Sequence, residues 1–274
     1  MKLSSTNSAA DIIRLALSED IGTGDVTTLA CIPEAQQASG RFLAREPLII
    51  AGLGLLPEIY EHPVTLLKQD GDRCAEGEPL AAIQAPARLL LTRERVALNF
   101  LQRLSGVATA ARRFADAVAG TGCRVLDTRK TTPGFRVLEK QAAAAGGVTN
   151  HRLGLYDAIL IKNNHISAAG GVRAAIERAR AASPLPIEIE VRTREELREA
   201  LAAGAAHLLL DNLTPAEAAD WVREMAGRAR VELSGGITLE NVRAYAETGA
   251  DFVSAGAITH SARAMDISFR LELS

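Results

Sequence analysis

The sequence predicts an α/β protein in two parts, an α+β domain over residues 1–110 followed by a parallel β/α array over residues 111–274. Three observations carry this. From about Arg124 onward, the apolar runs RVLDT, AILIK, IEIEV, HLLLDN, VELSGG and FVSAGA alternate with helical stretches, each run closing on a polar residue or a glycine turn. The helices have readable ends: Thr193 with Glu196 before LREALAA, and Thr214-Pro215 with Glu217 before AEAADWVREMAG, both spaced as capping boxes. Gly204 and Gly249 stop two helices in the same way, each just ahead of an apolar run. Such βα repetition indicates a parallel sheet covered by helices, of which a closed barrel is one form. Six strands are readable, or seven at most, so a complete eight-stranded barrel is not expected.

The first part has a different texture. GRFLAREPLIIAG and PLAAIQAPARLLL alternate only partly and are divided by the turn-rich DGDRCAEGEP. A helix is expected over about Arg93 to Ser105. Its apolar face would be Val96, Phe100, Leu101 and Leu104, with Arg93, Arg95, Gln102 and Arg103 largely off that face. No low-complexity linker separates the parts.

Composition excludes several functions. The 274 residues are 47% hydrophobic and 23% charged, with aromatics at only 4%, so alanine, leucine and valine must build the core. A formal net charge of -2 and a pI near 6.2 provide no global field for nucleic acid or anionic membrane. Cys31, Cys74 and Cys123 have no metal-ligand or CxxC spacing, which fits a reducing, cytoplasmic setting. Asp11 and Arg14 interrupt the N-terminal stretch where a leader's apolar segment would lie.

Any anion site must therefore be local, and residues 124–165 concentrate cations. Arg124, Arg129, Lys130, Arg136, Lys140, Arg152 and Lys162 face only Asp127, Glu139 and Asp157 there. In a parallel βα array the strand C-termini share one mouth. Here they would bring together Asp127, Arg129 and Lys130, Lys162, Glu190, Asp211, Ser234-Gly235-Gly236 and Ser254-Ala255-Gly256. The two glycine turns read as a phosphate cradle or as plain tight turns. Glu190 and Asp211 end adjacent strands and suit a shared Mg²⁺, or else structural ion pairs with Lys162 or Lys130. Lys162, isolated after an apolar run, reads as an anion ligand or a reactive amine. His151-Arg152 is a solvated turn or part of the cationic mouth.

EDIGTGDVTT (19–28), ERVALNFLQRLSGVAT (94–109), DTRKTTPGFR (127–136), NHRLGLYDAILIKNNH (150–165), IEIEV, LLLDN, ELSGGI and SAGAITHS together resemble the quinolinate phosphoribosyltransferases, type II phosphoribosyltransferases. The resemblance runs in order through nearly the whole chain. It implies an N-terminal α/β sandwich that contributes to a partner's active site, then an incomplete barrel, with the last residues as candidates to return to the first domain. It also implies phosphoribosyl transfer from phosphoribosyl pyrophosphate to quinolinate with decarboxylation, using Mg²⁺. Carried over by motif, Arg129, His151, Arg152 and Lys162 would hold quinolinate, with Arg95 entering from a neighbouring subunit. Lys130, Glu190 and Asp211 would serve phosphoribosyl pyrophosphate and metal, and the two glycine turns its 5′-phosphate. A homodimer, or a hexamer built as a trimer of dimers, is implied as well. The chain departs from the family pattern at Val148, in place of a third glycine, and at Gln141, where tyrosine is usual. The alternatives are a Schiff-base lyase or aldolase using Lys162, and a non-catalytic anion-binding relative.

Overall fold

The computed structural model describes residues 9–273, so the first eight residues of the N-terminal stretch lie outside it. The chain divides into two compact units. The first takes the chain up to Arg112 together with 131–147 and 262 onward, and the second takes 113–130 and 148–261. The division is thus less sequential than a cut at residue 110: two later segments belong to the first unit.

In chain order the first unit contains α1 (Ala9–Ile21), α2 (Val26–Cys31), β1 (Gln37–Ala44), β2 (Leu48–Ile49), α3 (Leu56–Tyr60), β3 (Thr65–Leu66), β4 (Arg73–Cys74), β5 (Pro79–Pro86) and most of α4 (Ala87–Ala117). The run PLAAIQAPARLLL, read as one strand-like segment, changes state at Pro86: ARLLL opens α4 instead. That helix is much longer than the Arg93–Ser105 segment expected. Val96, Phe100, Leu101, Leu104, Val107, Ala108 and Ala111 continue the i, i+3, i+4 spacing and are buried. Its buried hydroxyls satisfy an otherwise stranded chain. Thr109 Oγ1 accepts the Ile49 N–H at 2.9 Å and Ser105 Oγ accepts the Ala51 N–H at 3.2 Å.

Beyond α4 come β6 (Arg124–Leu126), α5 (Arg136–Ala145), β7 (Ile159–Ile161), α6 (Asn163–Ala169), α7 (Val172–Ala182), β8 (Ile187–Val191), α8 (Arg194–Ala202), β9 (His207–Asp211), α9 (Pro215–Met225), β10 (Arg230–Ser234), α10 (Val242–Ala246), β11 (Phe252–Ser254), α11 (Ala257–His260) and β12 (Ile267–Leu273). Of these, α5 and β12 belong to the first unit. There β12 completes an antiparallel sheet of order β12-β1-β5-β3, with Phe269 opposite Phe42. Gly40 allows this closeness, because a Cβ at that position would meet Phe269 Cζ at 2.1 Å.

The second unit holds a six-stranded parallel sheet of order β6-β11-β10-β9-β8-β7. Read cyclically this is simple chain order, the arrangement of a barrel left open between β6 and β7. Within that gap one parallel bridge joins Leu126 to Thr149, the trace of a seventh strand. Of the two helix starts, Thr214 and Glu217 form the full reciprocal box. At Thr193 only half forms, because Glu196 turns its carboxylate to the Arg192 N–H at 2.7 Å. Val148 is not strained: the positive-φ residues other than glycine, among those described, are Glu61, Asn212 and Ala226. Gln141 lines a cavity of about 110 Å³ in the first unit. No helix of the described residues is long and apolar enough to cross a membrane.

Two outcomes follow from this packing. At Gly106 of α4 an added Cβ would lie 2.0 Å from the Arg263 carbonyl oxygen, whereas at exposed Gly54 it would meet nothing. Gly106→Ala should therefore cost about 1–3 kcal/mol and lower the melting temperature by several degrees, with Gly54→Ala much milder, as measured by calorimetry. Burial, with help from Asp251, pushes the Cys123 thiol up to about 12, and burial also raises Cys74, while Cys31 is exposed. At pH 8 one thiol per native chain should react quickly with a disulfide reagent and two only after unfolding; three fast thiols would contradict this burial.

Candidate active site

The C-terminal ends of the parallel strands surround a cavity of about 710 Å³ in the second unit. Its wall begins at β6, whose last residue leads into Asp127, a fully buried carboxylate. Asp127 accepts the His151 N–H at 2.7 Å and Asn150 Nδ2 at 2.6 Å. Backbone bonds between Thr149 and both Val125 and Asp127 fix the same junction. Two carboxylate hydrogen bonds and one bridge thus bind residues 149–152 to the free edge of β6.

Arg129, Lys130, His151, Arg152 and Lys162 all line the cavity. Arg129 and Arg152 face one another closely enough to matter: burial lowers the Arg152 pKa and the Arg129 charge lowers it further. Two half-buried guanidiniums that repel each other mark a place for an anion. The Arg152 side chain also donates to the Ala158 carbonyl at 3.2 Å, which steadies its stem. Lys130 passes over Gly256, where an added Cβ would meet Lys130 Cδ at 3.0 Å, and the Lys130 carbonyl accepts Thr259 Oγ1 at 2.8 Å.

The acids stand on the next strands. Lys162 Nζ pairs with Glu190 Oε2 at 2.8 Å, an ion pair whose carboxylate side is buried and whose ammonium side is half exposed. The pairing occupies the Lys162 ammonium and gives a Schiff-base role no support. Burial raises the Asp211 pKa, and the nearby Glu190 charge raises it again, with Lys162 and Lys130 opposing. Asp211 lines the cavity, while Glu190 is buried against Lys162 and is not among the lining residues; these two carboxylates are the oxygen donors a hard cation would need.

The glycine turns are built for close approach. Ser234 lies opposite Asp211 in register, and Asn212, at φ 58°, donates its N–H to the Ser234 carbonyl at 2.9 Å. Gly235 is obligatory there, since a Cβ would sit 2.3 Å from Asn212 Oδ1 and 2.7 Å from its nitrogen. Gly236, also at positive φ, has open space beside it and lines the cavity with Ser234 and Gly235. Ser254 and Gly256 line it too. Ala255 differs: it is buried and its N–H donates to the Leu126 carbonyl at 3.0 Å, so that amide is committed to the sheet. Arg95 stands exposed on α4, in the first unit. Its neighbours are occupied, Arg93 by the Ile59 carbonyl and Arg103 by Glu139 and the Ala262 carbonyl.

The sequence reading missed the acids that the His151 ring meets. Glu188 and Glu232 sit two residues before Glu190 and Ser234 and are buried. His151 Nε2 lies 3.1 Å from Glu188 Oε2 and 3.3 Å from Glu232 Oε2, and His207 Nε2 lies 3.4 Å from Glu188 Oε1. Burial opposes charge on the His151 ring, but Glu188 and Glu232 outweigh it and raise the pKa to about 10. The Arg152 N–H, however, donates to His151 Nδ1 at 2.7 Å, which requires a lone pair there and puts the ring proton on Nε2. Burial raises the Glu232 pKa, with the Glu188 charge adding to it and His151 opposing. The available signal was the period-two spacing of acids in IEIEV and the acid inside VELSGG.

The fold and these positions match known proteins. The families described as quinolinate phosphoribosyl transferase N-terminal and C-terminal domains match residues 25–105 and 107–270. The nicotinate-nucleotide pyrophosphorylase [carboxylating] of Mycobacterium leprae is 43% identical, covering 97% of this chain and 98% of its own length. A Bacillus subtilis protein described as a probable nicotinate-nucleotide pyrophosphorylase [carboxylating] is also 43% identical, over 93% of this chain and 91% of its own. The crystal structure of NadC from Streptococcus pyogenes superposes with a TM-score of 0.92 at 38% identity, covering 96% of both chains. With both domains matched in sequence and the whole architecture matched in space, the chain belongs to the quinolinate phosphoribosyltransferase family.

Proposed function

We propose that the protein transfers the phosphoribosyl group of phosphoribosyl pyrophosphate to the ring nitrogen of quinolinate, giving nicotinate mononucleotide, pyrophosphate and CO₂. The observation that carries this, beside family membership, is the Arg129–Arg152 pair in a cavity that also presents Lys130, Lys162 and the Ser234-Gly235-Gly236 turn. Both substrates are polyanions. A nearly neutral chain can bind them only by concentrating cations at one mouth, as this one does.

In this reading Arg129 and Arg152 grip the two carboxylates of quinolinate through their planar forks, with Lys162 beside them. That grip holds the ring nitrogen toward the ribosyl carbon and removes the entropy of a bimolecular encounter. Ser234, Gly235 and Gly236, with Ser254 and Gly256, receive the 5′-phosphate through hydroxyls and exposed backbone. Ala255 takes part only by shaping the turn. Lys130 stabilises charge growing on the departing pyrophosphate. Glu190 and Asp211 would hold Mg²⁺, which supplies charge neutralisation on the pyrophosphate oxygens when bound. Once the ring nitrogen is ribosylated it is cationic and draws in the electron pair left as the adjacent carboxylate departs as CO₂; a proton then replaces it on that carbon. Three cysteines without a disulfide among them support a reducing, cytoplasmic setting.

Arg95 is placed as a contribution from a second copy of the chain, in a homodimer with reciprocal sites. Its exposure on α4, beside arginines already held within their own unit, supports this.

Incubation with quinolinate, phosphoribosyl pyrophosphate and Mg²⁺ should yield nicotinate mononucleotide and CO₂ in equal amounts; a preference for nicotinate as acceptor would overturn the assignment. Arg129→Ala and Lys162→Ala should each weaken quinolinate binding by about 1.5–3 kcal/mol, roughly tenfold or more by calorimetry. Unchanged affinity in both would remove them from the pocket. For assembly, inactive Arg95→Ala and inactive Lys162→Ala proteins, mixed under conditions of verified subunit exchange, should regain part of the activity. One site of each heterodimer then carries both lesions and the other neither. No recovery would assign Arg95 to its own chain or to no site.

A further inference from the structure

His151 lines the cavity, and its residue type and position invite the view that it grips the anionic ligand itself. Its ring atoms are arranged otherwise. Nδ1 accepts the Arg152 N–H at 2.7 Å, and Nε2 is directed at the buried carboxylates Glu188 and Glu232 at 3.1 and 3.3 Å. Its own N–H is held by Asp127 at 2.7 Å. Immediately afterwards the Leu153 and Gly154 amides donate to Asp157 at 2.6 and 2.9 Å. Three acids on one side and Asp157 on the other thus define the path of a short irregular segment. The one long cationic side chain that segment carries toward the cavity is Arg152.

We infer that His151 is a positioning residue, whose ring bolts the Arg152 backbone to the buried Glu188–Glu232 pair and leaves the contact with quinolinate to the Arg152 guanidinium. This deepens the proposed function and rests on it. The ring is suited to the task because it offers an acceptor and a donor on opposite edges of one rigid plane, so a single side chain can link a loop amide to carboxylates on two strands. With Nε2 turned into the protein, contact with the ligand would require breaking its hydrogen bond to buried Glu188 and moving the ring away from Glu232. Glu188 and Glu232 are, in the same sense, supports of the bolt. The arrangement also gives the buried acids a reason to exist in a strand interior that could otherwise be apolar.

The test is a double-mutant cycle on quinolinate affinity, with His151→Ala, Arg152→Lys and the double variant, alongside nitrogen-15 NMR of the histidine side chains in the wild-type protein. His151→Ala alone should weaken quinolinate roughly tenfold or more. In the Arg152→Lys background the same substitution should add less than about twofold, because the group it positions has already changed. Affinity for phosphoribosyl pyrophosphate should stay near the wild-type value in each variant. Fully additive losses would overturn the inference and make His151 a direct ligand. The NMR measurement needs no variant and so stands even if His151→Ala fails to fold. Nδ1 of His151 should remain the unprotonated nitrogen with and without quinolinate, and its protonation on binding would also overturn the inference. Should Arg152→Lys bind quinolinate as well as the wild type does, the functional reading itself fails, and the inference with it.

Discussion

The free edge of β6 is the constraint on which the site depends. A parallel sheet in the order β6-β11-β10-β9-β8-β7 leaves β6 and β7 without partners on one side, and unpaired strand edges in a protein interior are costly. The structure closes the β6 edge with little material. One bridge at Thr149 and one buried carboxylate, Asp127, recruit residues 149–152 into the gap. The solution to a backbone problem is at the same time the solution to a functional one, because the recruited segment carries His151 and Arg152 to the mouth where β6 delivers Arg129 and Lys130. A sheet closed by a full strand here would leave less room for an irregular segment presenting a guanidinium.

Much of this was legible in the sequence. Apolar runs with polar ends located all six parallel strands, because a strand buried on both faces has to be apolar and its C-terminal end has to leave the core. Those same ends supplied Lys162, Glu190, Asp211 and the two glycine turns. The helix signals worked where the chemistry is local, as at Thr214 and Glu217, and only partly at Thr193, where the Glu196 carboxylate found another amide. What could not be read was whatever depends on tertiary partners. Residues 87–92 look like a strand because leucine serves both states, and the burial of α4 along its length decides the matter. β12 gives a weak signal by itself, its identity coming from antiparallel pairing with β1. Ala255 shared a glycine turn's appearance with its neighbours, and only the hydrogen bond to Leu126 separates it from them.

The buried acids Glu188 and Glu232, which His151 and His207 meet, were missed for a physical reason. Inside a strand an acid followed two residues later by another acid puts both on one face, but sequence does not say whether that face is solvent or core. Here it is the interior of the strand array. Asp211, Ser234 and Glu232 line the cavity, whereas Glu188 is buried and Glu190 is buried against Lys162. Period-two spacing therefore gives the same strands both cavity-lining and buried polar positions.

The cavity wall and the acids behind His151 answer different electrostatic demands. In the wall Arg129 and Arg152 repel each other, and the Glu190 charge acts against that of Asp211. Left alone the wall is unfavourable, which is the condition for binding polyanions well. The cluster is built from the chain's own groups, with His151 Nε2 bonded to Glu188 and close to Glu232, and His207 close to Glu188. A cationic mouth in a protein of net charge -2 requires such a division. Were Glu188 and Glu232 absent, the His151 ring would lose its anchor, and Asp127, Asp157 and the Thr149 bridge alone would hold the segment that carries Arg152. By pairing Glu188 and Glu232 around one ring nitrogen of His151, the fold anchors the segment while spending little of the positive potential that the substrates need.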